Sequence, residues 1–533
     1  MRPLSFSGAS AAVLCAPLTT LPSLVPRAAI IQGLLVAVVA ATAYAIGVGI
    51  GWAIRTSRDR ADWRTGFMSK LILTSIAFLW CLVWLALGFH WQRELTEIVG
   101  TDPPSLLWPP VVLISAVAVG FILLAIGRGI RNLLLLFQRW LSRYMSIRGA
   151  TVTAGLVVAL FVIPLVTGRA LPVLIAPLGP LFTSMNNTGA DTLATTLPTV
   201  SGGPDSDIPW QSLGAEGRQF IGNTPSATEL DDFSGGGADT PVRVFAGYES
   251  ADTADQRAQL ALADLKRFGA FDRSVLLVGT STGTGTVDES AVEPLEFMYN
   301  GDTATVATQY SIFPSFLSFL LDKEAAQAEA VALFAAVYGH WSKLDSSGRP
   351  KLVIFGESLG AFGATAPFAD LDDLTARTDG ALLAGPPNAT PFWTDYTENR
   401  DPGSPERQPI FDRGRSLRWA NLPIALTEPA AIWRGARIAY LQNASDPVVW
   451  WSPKLIWEQP DWLQEPRGPG VLPQLQWLPI FTFVGLSGDM IDSQSVPAGY
   501  GHVYGDNEAA AWTIILPPSG WTAQDTTRLL NRS

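Results

Sequence analysis

Cysteine and histidine are the scarcest reactive residues in this chain. Its 533 residues include only two cysteines, Cys15 and Cys81, and three histidines, His90, His340 and His502. Both cysteines fall in apolar sequence, so neither a disulfide framework nor a cysteine-ligated metal site is open to the polar part. Charge is also thin, at 16% of residues against 48% hydrophobic. That is too apolar for an ordinary soluble protein, and the length exceeds one compact domain. No internal repeat is found.

What is present is divided unevenly. The hydrophobicity lies mainly in the first third. Ala28 to Ile54 runs 27 residues without a charge, followed by Leu71 to Phe89 (19), Val111 to Gly127 (17) and Gly149 to Gly168 (20). Four such runs separated by short charged loops predict four membrane spans. Met1 to Pro26 is apolar but broken by Pro17, Pro22 and Pro26, and reads as a broken fifth span, a re-entrant piece or a signal-like start. Residues 55–70 carry Arg55, Arg58, Arg60, Arg64 and Lys70, and residues 128–148 carry five arginines and no acid. The positive-inside rule places both loops in the cytoplasm and everything after Gly168 outside. Leu133 to Leu141 reads as an amphipathic piece at the cytoplasmic interface.

Charge follows the same division. Residues 1–183 hold 14 Lys and Arg against 5 Asp and Glu, net +9; the remainder holds 22 against 42, net −20. A strongly acidic outer part argues against nucleic acid or anionic-lipid surfaces as its main partner. The expected organisation is a transmembrane helical domain over 1–183, a Gly-, Ser- and Pro-rich linker over 184–240 with a short ordered island near Arg218 to Ile221, and a catalytic domain over 241–533.

From Pro241 strands and helices alternate. Strands are predicted at Val242–Ala246, Ser274–Val278, Ala304–Tyr310, Lys351–Phe355, Gly380–Ala384, Arg437–Leu441 and Leu478–Val484. Helices are predicted at Asp252–Phe268 and Asp322–Trp341. This spacing implies a doubly wound, mostly parallel sheet, with working residues at the carboxyl ends of its strands. The strand Lys351–Phe355 runs into Gly356-Glu357-Ser358-Leu359-Gly360 and then the small residues AFGATA. That is the form of a nucleophile elbow, a strained strand-to-helix turn that exposes a serine hydroxyl. A chance G-x-S-x-G is expected about 0.3 times in a chain of this composition, and a second one exists at Gly279–Gly283, around Ser281. There a threonine- and glycine-rich loop follows instead of a helix, so Ser358 is the better nucleophile.

A serine needs a base, and the base needs an orienting acid. In the order serine, acid, histidine, only His502 follows Ser358. His90 closes a predicted span, and His340 ends a helix where packing accounts for it. Asp446 lies in the loop after the strand Arg437–Leu441 and is the preferred acid; Asp489 is the competitor. The oxyanion would be met by the backbone N–H of Leu359 and by a second donor from the Gly279–Gly285 loop, through Thr280 or Ser281. That loop lacks the Lys-Ser/Thr ending of a nucleotide-binding P-loop. No cofactor or metal is expected. Eight tryptophans between Pro386 and Pro479 suit either a rim that admits lipid or ordinary core packing.

Several stretches together resemble the actinobacterial membrane-bound α/β-hydrolase family with a multi-spanning N-terminal region, formerly a domain of unknown function. They are PSLVPR at 22–27, TSTGTG at 280–285, YNGDTATVATQYSIFPS at 299–315, FGESLGAFG at 355–363, YLQNASDPVVWWSP at 440–453, PDWLQEPRGP at 460–469 and GYGHVYG at 499–505. The family pattern at the second stretch is T-P-T-G-T-G, so Ser281 stands where a proline is usual. The resemblance implies an α/β-hydrolase fold, a triad of Ser358, Asp446 and His502, and ester-bearing envelope lipids, aminoacylated ones among them, as substrates. The expected protein is a membrane-anchored esterase or lipase-like serine hydrolase. An acyltransferase using the same acyl-serine and a non-catalytic envelope scaffold are the rival readings.

Overall fold

The computed structural model describes residues 4–57, 67–146, 171–188, 194–321 and 323–532, with scattered residues between 149 and 160. The chain forms two compact units, Met1–Arg169 with Trp451–Gly501, and Ala170–Trp450 with His502–Ser533.

In the first unit, three helices among the described residues are long and apolar enough to cross a membrane: Ala29–Ile54, Leu71–Val99 and Trp108–Leu141. Their outward faces expose Ile76, Phe78, Leu79, Phe121 and Ile122, the kind of extended apolar surface that water does not tolerate and lipid does. The expected fourth span, Gly149 to Gly168, lies largely outside the described residues. Leu133–Leu141, expected as a separate interfacial piece, continues the helix from Trp108 without a break. The start of the chain forms a short apolar helix, Phe6–Cys15, and a 3-10 turn, Ala16–Thr20. Helices approach closely where glycine permits it: a Cβ on Gly33 would sit 1.9 Å from Ser115 Oγ.

Arg27 is the polar centre of this unit. Its Nε donates to Asp489 Oδ1 at 2.6 Å and its Nη1 to Thr19 O and Gln32 Oε1, while Trp108 Nε1 donates to Arg27 O. Leu24 N donates to Asp489 Oδ2. Both partners of the ion pair are buried, and such a pair is worth keeping only when its remaining donors and acceptors are satisfied. Here Nε and Nη1 of the guanidinium and both carboxylate oxygens have partners, which ties Trp451–Gly501 to the PSLVPR segment. Leu478–Val484, expected as a strand, is instead a turn and the first residues of the helix Phe481–Asp489. Periodicity alone does not separate a short buried strand from a buried helical segment.

The second unit is built on a seven-stranded, all-parallel sheet in the order β1-β3-β2-β4-β5-β7-β6. The strands are β1 Val242–Ala246, β2 Val275–Thr280, β3 Thr303–Thr308, β4 Lys351–Glu357, β5 Gly380–Ala384, β6 Leu417–Ala420 and β7 Arg437–Leu441. Leu352 to Phe355 are all buried, the unbroken apolar run of a parallel strand covered on both faces. Thr253 caps the helix Ala254–Arg267 through a reciprocal pair of bonds with Gln256. Lys323–Trp341 is helical as well.

Strand β6 escaped the sequence pattern because Arg418 interrupts it. That side chain is buried, and its guanidinium donates to the carbonyls of Gly414, Leu426 and Ala431. The stretch expected as linker carries the helices Gly214–Gly222 and Ala227–Ser234. Arg243 on β1 reaches Phe220 O and pairs bidentately with Glu296. Asp264 accepts from Ser201, Ser206 and the backbone of Asp207. Polar composition here reflects fixed hydrogen bonds to the sheet and its helices.

Candidate active site

Four neighbouring strands, β2, β4, β5 and β7, present their carboxyl ends side by side, and Thr280, Ser281, Ser358, Leu359, Asp446 and His502 lie at those ends, just beyond them or on the loop that returns to them. Strand β4 ends at Glu357. Ser358 then takes φ 55° and ψ −123° before the helix Leu359–Ala364 begins. A non-glycine residue in that region is strained by about 1–3 kcal/mol and persists only where its surroundings hold it. The flanking glycines make the turn possible. A Cβ on Gly356 would lie 2.4 Å from the carbonyl of Gly360, and one on Gly360 would lie 2.3 Å from Thr280 O. Ser358 N donates to Ala384 O at 2.9 Å. The side chain is only partly buried and, among the described residues, makes no hydrogen bond.

Asp446 sits five residues past the end of β7 and is wholly buried. Three donors converge on it: Val448 N on Oδ1 at 2.8 Å, and His502 Nδ1 and Tyr504 Oη on Oδ2, each at 2.7 Å. With Nδ1 donating to the carboxylate, Nε2 is the nitrogen left to accept a proton. The acid and histidine loops are tied a second time by Asn443 Nδ2 donating to Val503 O. Gly385, just past β5, has φ +53°, and a Cβ there would lie 2.6 Å from His502 Cε1. The imidazole therefore packs on the backbone next to Ala384, the residue that accepts from Ser358 N.

Burial opposes protonation of His502, but Asp446, as charge and as acceptor, together with Glu357 pushes it up to about 9. Glu357 is itself raised to about 8 by burial and by the neighbouring Asp288 carboxylate. Below that pH Glu357 is largely neutral, and its share of the pull on the imidazole is gone.

Leu359 follows the serine at the first position of its helix, where backbone N–H groups have no helical acceptor. Thr280 and Ser281 lie against Gly360, as the contact with Thr280 O requires. Ser281 Oγ is buried and donates to Thr308 O at 2.7 Å, which is a structural role. The N–H groups of Thr282, Gly283 and Gly285 are engaged by Thr286 O, Ser315 Oγ and Thr282 O.

The other sequence candidates are elsewhere. Asp489 is held by Arg27 in the first unit. His340 packs edge-on against Phe271 with ring centroids 4.5 Å apart, and His90 pairs with Glu94. Of the eight tryptophans, Trp393, Trp419, Trp450 and Trp462 are buried core while Trp457 is exposed. Tyr504 is the residue that sequence reasoning missed. Its signal was its place in GYGHVYG, two residues after the histidine.

A parallel sheet with a strained serine turn at the end of a central strand and an acid–histidine pair beside it defines the α/β-hydrolase class. Residues 242–529 match the model of an alpha/beta-hydrolase family, and residues 20–225 match that of the family's N-terminal region. The chain belongs to this family. No curated protein and no solved structure matches it. Family membership together with the apolar helices indicates a membrane-associated hydrolase.

Proposed function

We propose that the chain is a membrane-anchored serine hydrolase, esterase- or lipase-like, that cleaves ester-bearing lipid substrates on the outer side of the cytoplasmic membrane. The observation that carries this is the meeting of the strained Ser358 turn and the buried Asp446–His502 pair at the Ala384–Gly385 junction. Ser358 Oγ attacks the ester carbonyl and His502 Nε2 takes its proton. Asp446 holds the resulting imidazolium, and Tyr504 fixes the carboxylate. The N–H of Leu359, with a second from Thr280 or Ser281, meets the oxyanion. The protonated His502 then delivers its proton to the leaving alcohol, and water, activated by the same imidazole, releases the acid.

Positive charge in residues 55–70 and 128–148 supports a catalytic unit outside the cytoplasm, and the exposed apolar helices support a substrate that resides in lipid. Labelling by a fluorophosphonate probe tests the chemistry. Ser358→Ala is expected to abolish labelling at unchanged expression, and undiminished labelling would refute the assignment. Ser281→Ala is expected to remain labelled.

A further inference from the structure

Three carboxyl groups that the proposed chemistry does not use converge beside the nucleophile. Glu357 is the last residue of β4 and directly precedes Ser358. Asp288 caps the helix Glu289–Met298 at the end of the loop that follows β2 and begins with Ser281; its Oδ1 accepts from Ser290 N at 2.8 Å. Glu508 lies on the helix Asp506–Ile515, six residues beyond His502. One oxygen from each of the three lies within 4.8 Å of the other two. Asp288 and Glu357 are partly accessible, while Glu508 is fully buried, and among the described residues neither of its carboxylate oxygens has a hydrogen-bond partner. No ion pair to any of the three occurs among the described residues.

A fully buried carboxyl group without a donor is among the costliest arrangements a core can contain. It is relieved either by a proton that itself finds an acceptor or by a cation. Calcium binds oxygen at 2.3–2.6 Å, so two oxygens on one ion stand at most about 5 Å apart. The cluster falls within that span, and its partly accessible side gives an ion a way in. All-oxygen carboxylate ligation selects a hard cation over zinc or copper.

We propose that Asp288, Glu357 and Glu508 hold one hard divalent cation next to Ser358, with calcium, whose bonds are longer and less strictly directed, fitting better than magnesium. Bound there, the ion ties together three segments: the loop after β2, the serine turn and the helix after His502. It also neutralises acidic charge next to the imidazole. Binding itself does not depend on the hydrolase reading; only the consequence for catalysis does.

The test uses the full-length protein in detergent, stripped with EDTA and titrated with calcium chloride or magnesium chloride at pH 8. Bound metal is measured by equilibrium dialysis, alongside thermal unfolding. One calcium per chain is expected, with a rise in unfolding temperature, in both wild type and Ser358→Ala. Glu508→Gln and Asp288→Asn are each expected to weaken binding at least about tenfold, since affinity tracks the number of charged ligands. Asn at 288 preserves the helix cap, so a loss there is not a loss of the helix. Binding of neither cation to wild type, or equal calcium affinity in wild type and both variants, would overturn the site. Retained binding in Ser358→Ala with unaltered fluorophosphonate labelling in that variant would strike the hydrolase reading and leave the cation site standing.

Discussion

Each unit of the molecule buries an aspartate against a basic side chain, and the two basic partners differ in kind. In the membrane unit Asp489 faces Arg27, whose charge is permanent and whose guanidinium donors also serve Thr19 O and Gln32 Oε1. In the second unit Asp446 faces His502, which uses one ring nitrogen on the acid and leaves the other unspent. An always-charged partner with several fixed bonds locks chain segments together. A titratable partner with a nitrogen to spare can move a proton. Both acids follow an apolar run and precede His502, so chain order alone could not separate them. Their partners do.

Substituting the two acids in parallel is the sharpest way to break the comparison. Asp446→Asn keeps the volume and removes the charge that holds the imidazolium. Turnover is expected to fall by about 10⁴-fold, the scale set by the equivalent change in a serine protease, with a smaller drop in unfolding temperature than the change at Asp489 brings. Asp489→Asn should do the reverse. It leaves Arg27 buried without a counter-charge, and one-sided removal of a buried pair costs about 3–5 kcal/mol. The unfolding midpoint should drop sharply, while turnover per folded molecule is retained. Equal losses of turnover in both variants would mean that the pairs are not divided into a lock and a relay.

Gly385 sharpens the catalytic half. Its φ of +53° disfavours any side chain, and its missing Cβ leaves the space against which His502 packs. Gly385→Ala is expected to displace the imidazole by a fraction of an ångström to an ångström. Displacements of that size cost about 10²-fold in rate. The loss should appear in kcat more than in KM, and labelling of Ser358 should slow in parallel.

The parts of this architecture that were legible in the sequence are those where a local pattern and the final environment agree. Leu352 to Phe355 form an unbroken apolar run because the strand is covered on both faces, and Gly356 and Gly360 flank Ser358 because backbone passes within 2.4 Å of where their Cβ atoms would be. Order along the chain singled out His502 but left Asp446 and Asp489 as rival acids, and it is Asp446 that lies against the imidazole. What was hidden depends on partners distant in sequence. Arg418 reads as a solvated residue until three carbonyls are seen to surround it. Asp264 makes an apparent linker into ordered structure. Phe481–Asp489 carries a run that suits a strand as well as a helix. The Asp288–Glu357–Glu508 cluster comes from segments that only the fold brings together.

The smallest expected effect concerns how finely the Asp446–His502 pair is set. A base must be neutral to accept the serine proton, so kcat/KM should rise with pH through the His502 pKa and level off above it. That pKa is raised, so the inflection lies above the ordinary imidazole value of about 6.5 and at or below about 9. The same shift has a stability consequence of opposite sign. The pairing contributes fully below about 6.5 and is lost as the pH climbs through the raised value. Tyr504 Oη donates to the oxygen that also holds His502, so it competes for the negative charge of Asp446. Tyr504→Phe releases that charge to the imidazolium. The inflection should move further up by less than about one unit, since a neutral hydrogen bond is worth about 1 kcal/mol. Turnover on the high-pH plateau should fall only a few-fold. An inflection that moved down would place the tyrosine's role in shielding the pair from water instead of sharing its charge.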